Sequence, residues 1–220
     1  MPLLLFIRHG LTDSTGKKLV GWTPNVHLSA RGREQAAELA TRLDGVKIDV
    51  LYSSPLERCR ETAAPVASSK GLRPRIREGL GEVRYGDWQG KSLAQLSRTK
   101  LWEVVQRTPS AARFPNGESL LETQARGLAA LDPILRDHAG ETVAVCSHGD
   151  MIRLLLAHFL GVHIDLYQRI AVDTASVSAV YAEGRRRAIL KLNDTGTLDR
   201  LGFGPSITSP PPKAAKKVGR

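Results

Sequence analysis

Apolar positions along the chain fall into two repeating kinds of segment. The first kind is a short unbroken run of strand length. Leu3–Ile7 is one, "IDVLYS" is a second and "TVAVCS" a third. Runs of this sort suit strands buried on both faces of a parallel sheet. The second kind is longer and rich in helix formers, as in "ARGREQAAELATRL" behind a Ser29 cap, and "DMIRLLLAHFLG". In "SPLERCRETAAPVAS" the expected cap is Ser54, with Pro55 at the first helical position and Glu57 completing a capping box. That start places Arg58 in the first turn, near the end of the preceding strand.

Further along, "GEVRYGDWQGKS" reads as a loop and "LAQLSRTKLWEVVQRT" as helical. "PSAARFPNGES" is an irregular connection. A long helical stretch follows from Leu120, with a kink expected at Pro133 and an end at Gly140. "SVSAVYAEGRRRAILKLN" alternates on both sides of Glu183-Gly184, the pattern of a hairpin. Strands alternating with helices predict an α/β fold, a three-layer α/β/α sandwich around a mostly parallel central sheet. One domain over residues 1–201 is expected, with a cap-like insertion at about 92–119. Residues 202–220 turn Pro- and Lys-rich and read as a disordered tail.

Composition changes this picture little, and charge changes it more. The 220 residues are 41% hydrophobic and 25% charged, ordinary for a globular protein, but the net charge is +10. Lys213, Lys216, Lys217 and Arg220 lie in a final stretch with no acid. A basic tail attracts polyanions weakly or serves solubility; a basic body suits an anionic ligand. Cys59 and Cys146 form no CxxC pair and read as buried thiols in a reducing compartment. No segment has the length of a membrane span, and "MPLLLFI" lacks the features of a signal peptide. A cytoplasmic location is expected.

Candidate chemistry gathers at the strand ends. In sheets of this class, ligands bind beyond the carboxyl ends of the strands. His9-Gly10 and His148-Gly149 each terminate a predicted strand, and Arg8 and Arg58 lie at the same edge. Two guanidiniums and two imidazoles make an anion site. A neutral imidazole can attack phosphorus if its other nitrogen is held by a backbone carbonyl. Glu82, in the glycine-flanked "GEVRYG", is the candidate acid for a leaving alkoxide. Taken singly, a His-Gly pair is more often a turn, an Arg in a first helical turn is usually solvated, and a loop Glu is usually idle. Their joint placement at element ends is what points to a site. Neither a metal nor a cofactor is called for. "GLGEVR" lacks the third glycine of a dinucleotide fingerprint, and His158 and His163 lack ligand spacing.

Together, "FIRHG", "LYSSPLERCRETA", "GEVRYGDWQG" and "SHGDMIR" stand in an order that resembles the histidine phosphatase superfamily, also called the phosphoglycerate mutase-like family, over about residues 3–194. The resemblance implies a metal-independent enzyme with His9 as the nucleophile and Glu82 as the proton donor. It implies Arg8, Arg58 and His148 as the phosphate pocket. "GWTPNVHLSARG" is similar to a loop of the cofactor-dependent mutases. Trp22, Tyr85 and Thr15 become candidate substrate contacts on that basis. Leu11, Thr12 and Val83 depart from the mutase pattern, and no Arg-Arg pair is evident for a second phosphate. "GESLLETQARG" looks like the phosphatase branch. The resulting expectation is a phosphomonoesterase for a small phosphorylated metabolite, with a mutase as the alternative. A phosphate-binding module without activity, or nucleic-acid binding by the tail, is the weaker expectation. Arg107 and Arg113 in the cap-like segment are either contacts for a second anionic group or plain surface residues.

Overall fold

A computed structural model describes residues 2–183 and 186–196. The hairpin tip at Gly184-Arg185 and the expected tail at 202–220 lie outside the described residues. The strands are β1 (Leu3–Arg8), β2 (Val50–Ser53), β3 (Arg75–Ile76), β4 (Thr142–Ser147), β5 (Val177–Glu183) and β6 (Arg186–Asp194). They form one sheet in the order β3-β2-β4-β1-β5-β6. The first four are mutually parallel, while β5 runs antiparallel to β1 and β6 antiparallel to β5.

The strands read as unbroken apolar runs because both faces are covered. Along β1, Leu3, Leu5 and Ile7 point into a core with α1 (Ala30–Arg42) and α2 (Glu57–Lys70). Leu4 and Phe6 point into the opposite core, which holds α5 (Leu120–Asp137) and α6 (Gly149–Leu160). This two-sided burial makes the three layers. Between α2 and α5 come two short helices, α3 (Leu93–Leu96) and α4 (Lys100–Arg107).

Several local expectations hold. Ser29 caps α1 by accepting from the Gly32 amide, and Cys59 and Cys146 are free and buried. Others change. Helix α2 opens at Glu57 with Leu56 in the cap position and no side-chain cap bond. Ser54 is not that cap. Its hydroxyl lies 2.7 Å from His148 Nε2, so a tertiary partner takes the group that a local rule would assign to the helix. The stretch read as one helix over 93–108 is two, because the Thr99 side chain caps a fresh start by accepting from the Trp102 amide. Helix α5 continues past Pro133 to Asp137 and ends before Gly140, with His138 as its C-cap residue. The two-residue edge strand β3 carries no apolar pattern; both its residues are exposed. Among the described residues no helix is long and apolar enough to cross a membrane.

Candidate active site

Strands β1 and β4 run side by side in parallel, with Arg8 opposite Ser147. Their next residues are therefore neighbours. The His9 amide donates to Ser147 O at 3.0 Å, and the rings of His9 and His148 stand 5.3 Å apart at 64°. The parallel register is what brings the two His-Gly pairs together. From β2 the chain passes through Ser54 into α2, whose first turn delivers Arg58 to the same place. Arg58 Nε donates to His9 Nε2 (3.3 Å), and Nη2 donates to Gly21 O (2.8 Å) and to His148 Nδ1 (3.1 Å).

His9 is held on its far side. Nδ1–H donates to Gly10 O at 2.7 Å, a carbonyl that can only accept, so the lone pair lies on Nε2. Gly10 N in turn donates to Thr62 Oγ1 (2.9 Å). A side chain at Gly10 would meet Gly32 O at 2.6 Å, so only glycine lets this turn press against α1. Burial, then the charges of Arg58 and Arg8, hold the His9 pKa well below the ordinary imidazole value. The ring is a neutral base with its available nitrogen beside two cations.

Those cations have unused donors. Arg8 Nη1 donates to Val172 O (2.6 Å), but the buried Nε has no protein acceptor. Arg58 is 1% exposed, and its Nη1 is likewise without one. Burying a guanidinium is costly unless its protons are satisfied. Two guanidiniums with unmet donors beside one cavity suit an oxyanion. That cavity has a volume of about 210 Å³, and His9, Arg8, Arg58, Glu82, Tyr85 and Arg153 are among its walls.

Glu82 is fixed from several directions. Trp22 Nε1–H (2.6 Å) and Arg126 Nη2 (3.0 Å) donate to its backbone carbonyl, and Arg126 also holds Gly79 O and Gly81 O. Arg126 is itself gripped by Glu118 at 2.8 Å through both Nε and Nη2. A Cβ on Gly81 would stand 2.2 Å from the Trp22 ring, which leaves glycine alone able to fit there. The carboxylate accepts from the Val83 and Met151 amides (3.1 and 3.3 Å). Burial, followed by the nearby Asp150 charge, pushes its pKa up to about 7. Such a group can both give and take a proton near neutrality.

The structure gathers Arg8, His9, Arg58, Glu82, Tyr85 and Thr15 on one cavity wall. Thr15 Oγ1 accepts from the Thr12 amide and pairs with its hydroxyl, which shapes the turn after β1. Trp22 does not line the cavity; it braces the Glu82 loop, with Arg84 stacked 4.0 Å over its ring. His148 is fully buried one layer behind, with Nε2 on Ser54 and Nδ1 on Arg58. Arg107 and Arg113 pair with Glu103 and Glu122 on the surface, away from the cavity.

Two residues of the wall had no signal in the apolar pattern, Asp150 and Arg153. Asp150 accepts from the Tyr85 hydroxyl (2.7 Å) and from Arg153 Nη1 (3.0 Å). Arg153 looked like a charge interrupting an apolar helix. Its spacing from Asp150, one turn along the helix that follows "SHG", is the clue that could have placed it. Among the described residues, no group of three or more His, Cys, Asp or Glu side chains is placed to hold a metal ion.

A family model described as Histidine phosphatase superfamily (branch 1) matches residues 4–195. The chain is 32% identical over 206 residues to a protein of Hydrogenobacter thermophilus named Phosphoserine phosphatase 1, covering 89% of this chain and 93% of that one. It is 32% identical over 187 residues to a protein of Escherichia fergusonii named "Probable phosphoglycerate mutase GpmB", covering 82% and 85%. Among solved structures, the alpha-ribazole phosphatase of Shigella flexneri superposes with a TM-score of 0.79 at 28% identity, covering 88% of this chain and 96% of that one.

Proposed function

The chain belongs to the histidine phosphatase superfamily, and on that premise we propose that it is a phosphomonoesterase that hydrolyses a small phosphorylated metabolite through a phosphohistidine. One observation carries this reading: a neutral His9 with its lone pair on Nε2, set beside two guanidiniums that each keep a buried, unpaired donor. In the first step Nε2 attacks phosphorus as the ester P–O bond breaks. The Glu82 carboxyl proton passes to the leaving oxygen, which departs as an alcohol. In the second step the Glu82 carboxylate takes a proton from water. The oxygen bonds phosphorus, the P–N bond breaks, and inorganic phosphate leaves with Glu82 protonated again. Arg8 Nε and Arg58 Nη1 hold the phosphoryl oxygens in both steps. His148 acts through Arg58, whose Nη2 it anchors. None of these steps calls for a metal ion. The two free, buried thiols fit a reducing compartment, which supports a cytoplasmic location.

The test is a phosphoryl trap. Brief exposure to a 32P-labelled ester and an alkaline quench should leave label on the protein that acid removes, and His9→Ala should carry none. Label on the His9→Ala protein, or turnover near wild type, would overturn the reading. The mutase alternative is favoured by the likeness to GpmB. It requires isomerisation of a phosphoglycerate that depends on added bisphosphoglycerate.

A further inference from the structure

Beside the phosphate cavity lies a second one of about 380 Å³. The two meet along a shared wall of Leu19, Tyr85, Asp150 and Arg153. The remaining walls are largely aromatic: Trp88, Trp102, Phe114 and Tyr167. Trp88 lies 6.2 Å from Trp102 at 27°, and its ring meets Phe114 edge-on at 5.3 Å. Phe114 meets Tyr85 at 5.0 Å and 89°. Trp88 and Phe114 are buried and held in place by this packing, Tyr167 is also buried, and Trp102 is half-buried on α4. The slot is thus preformed, backed by packed aromatic rings, with half-buried Trp102 as the ring most open to a flat apolar group.

Its charged groups are already engaged. Arg153 Nη1 donates to Asp150 and Nε to Ile170 O. Gln168 Nε2 donates to Val105 O. A carboxylate carried into this slot would lose water and meet Asp150, whose charge Arg153 already offsets.

Resting on the phosphatase reading, we infer that this second cavity takes the organic part of the substrate, and that this part carries an aromatic ring rather than a carboxylate. The phosphoryl group then lies between Arg8 and Arg58, and the ring passes Tyr85 to lie against Trp88, Trp102 and Phe114.

Steady-state kcat/KM for 2-phenylethyl phosphate, ethyl phosphate and O-phosphoserine tests it. All three have alkyl leaving groups, so the comparison reads binding of the organic part. The phenylethyl ester should exceed each of the others by about tenfold or more. Gln106→Trp, at an exposed position on the slot, should fill the cavity and erase that preference. Trp102→Ala should cut the phenylethyl value by about tenfold and the ethyl value much less. Equal values for the phenylethyl and ethyl esters, or O-phosphoserine as the best of the three, would overturn the inference while leaving the phosphatase reading intact. No phosphate release from any ester would overturn both. A preference untouched by either variant would also sink the slot assignment.

Discussion

The two His-Gly pairs occupy equivalent places and hold their rings in opposite ways. Each follows a central parallel strand, each ring is buried, and burial with nearby arginines depresses both pKa values well below the usual imidazole range. His9 spends Nδ1 on a backbone carbonyl and turns Nε2 to Arg58 Nε at the cavity wall. His148 spends both on side chains, Ser54 and Arg58. The same dipeptide at the same kind of strand end therefore yields an attacking group in one case and an anchor in the other. What decides is the partner of the nitrogen that does not face Arg58: the adjacent Gly10 carbonyl for His9, and the distant Ser54 hydroxyl for His148.

The comparison is most easily broken at His9. His9→Ala should lower kcat/KM for an aryl phosphate by about 10⁴-fold or more, measured as phosphate release. Label in the phosphoryl trap should map to His9 and be absent from His148. Label on His148 would reverse the assigned roles.

Glu82 should give the next largest effect, because it serves whichever histidine attacks. Glu82→Gln should cost about 10²- to 10³-fold with alkyl phosphates, and less with aryl esters whose leaving groups need no proton. With its pKa near 7, the wild-type rate on alkyl esters should fall as pH rises through that value, and the limb should vanish in Glu82→Gln. Linkage adds a stability readout. The folded pKa is raised above the unfolded one, so the group's stabilising contribution is present below the unfolded value and lost as pH rises through about 7. Glu82→Gln should accordingly raise Tm relative to wild type more at pH 8 than at pH 5. An equal shift at both pH values would place the carboxyl in a less buried setting.

Replacing the anchor sharpens the contrast further. His148→Ala should reduce kcat/KM by about 10- to 100-fold without removing the trapped label, since Arg58 loses one hold and keeps Gly21 O. A loss as deep as that of His9→Ala would make His148 a direct participant. Smallest of all, Ser54→Ala, which loses the bond to His148 and one from the Leu56 amide, should cost only a few-fold in kcat/KM, about 0.5–1.5 kcal/mol for the His148 bond, with KM moving more than kcat. An unchanged KM would show that Ser54 does not orient His148.

Much of the site was legible because its members mark where strands stop. Arg8, His9 and His148 close apolar runs, Arg58 opens a helix, and Glu82 lies between glycines. The three-layer sandwich was legible because both faces of β1 are apolar. What could not be read depends on partners distant in sequence. Ser54 looked like a helix cap because Pro55 and Glu57 follow it, yet His148 recruits its hydroxyl across the fold. Trp22 looked like a substrate contact, yet its indole holds the Glu82 carbonyl. Asp150 and Arg153 were hidden by the apolar helix around them, although they sit one turn apart on the cavity wall.

The strand order has a consequence for how the protein comes off the ribosome. Strand β4 lies between β1 and β2 although it is made long after both. Until about residue 150 has emerged, the two early strands have no partner to join them, and Arg8 and Arg58 have no shared frame. Because nascent chains grow from the N-terminus, the protein should remain without phosphate-binding capacity until β4 has been made. A fragment cut short before β4 would display bare strand edges instead, a form for chaperones to hold rather than a partial enzyme.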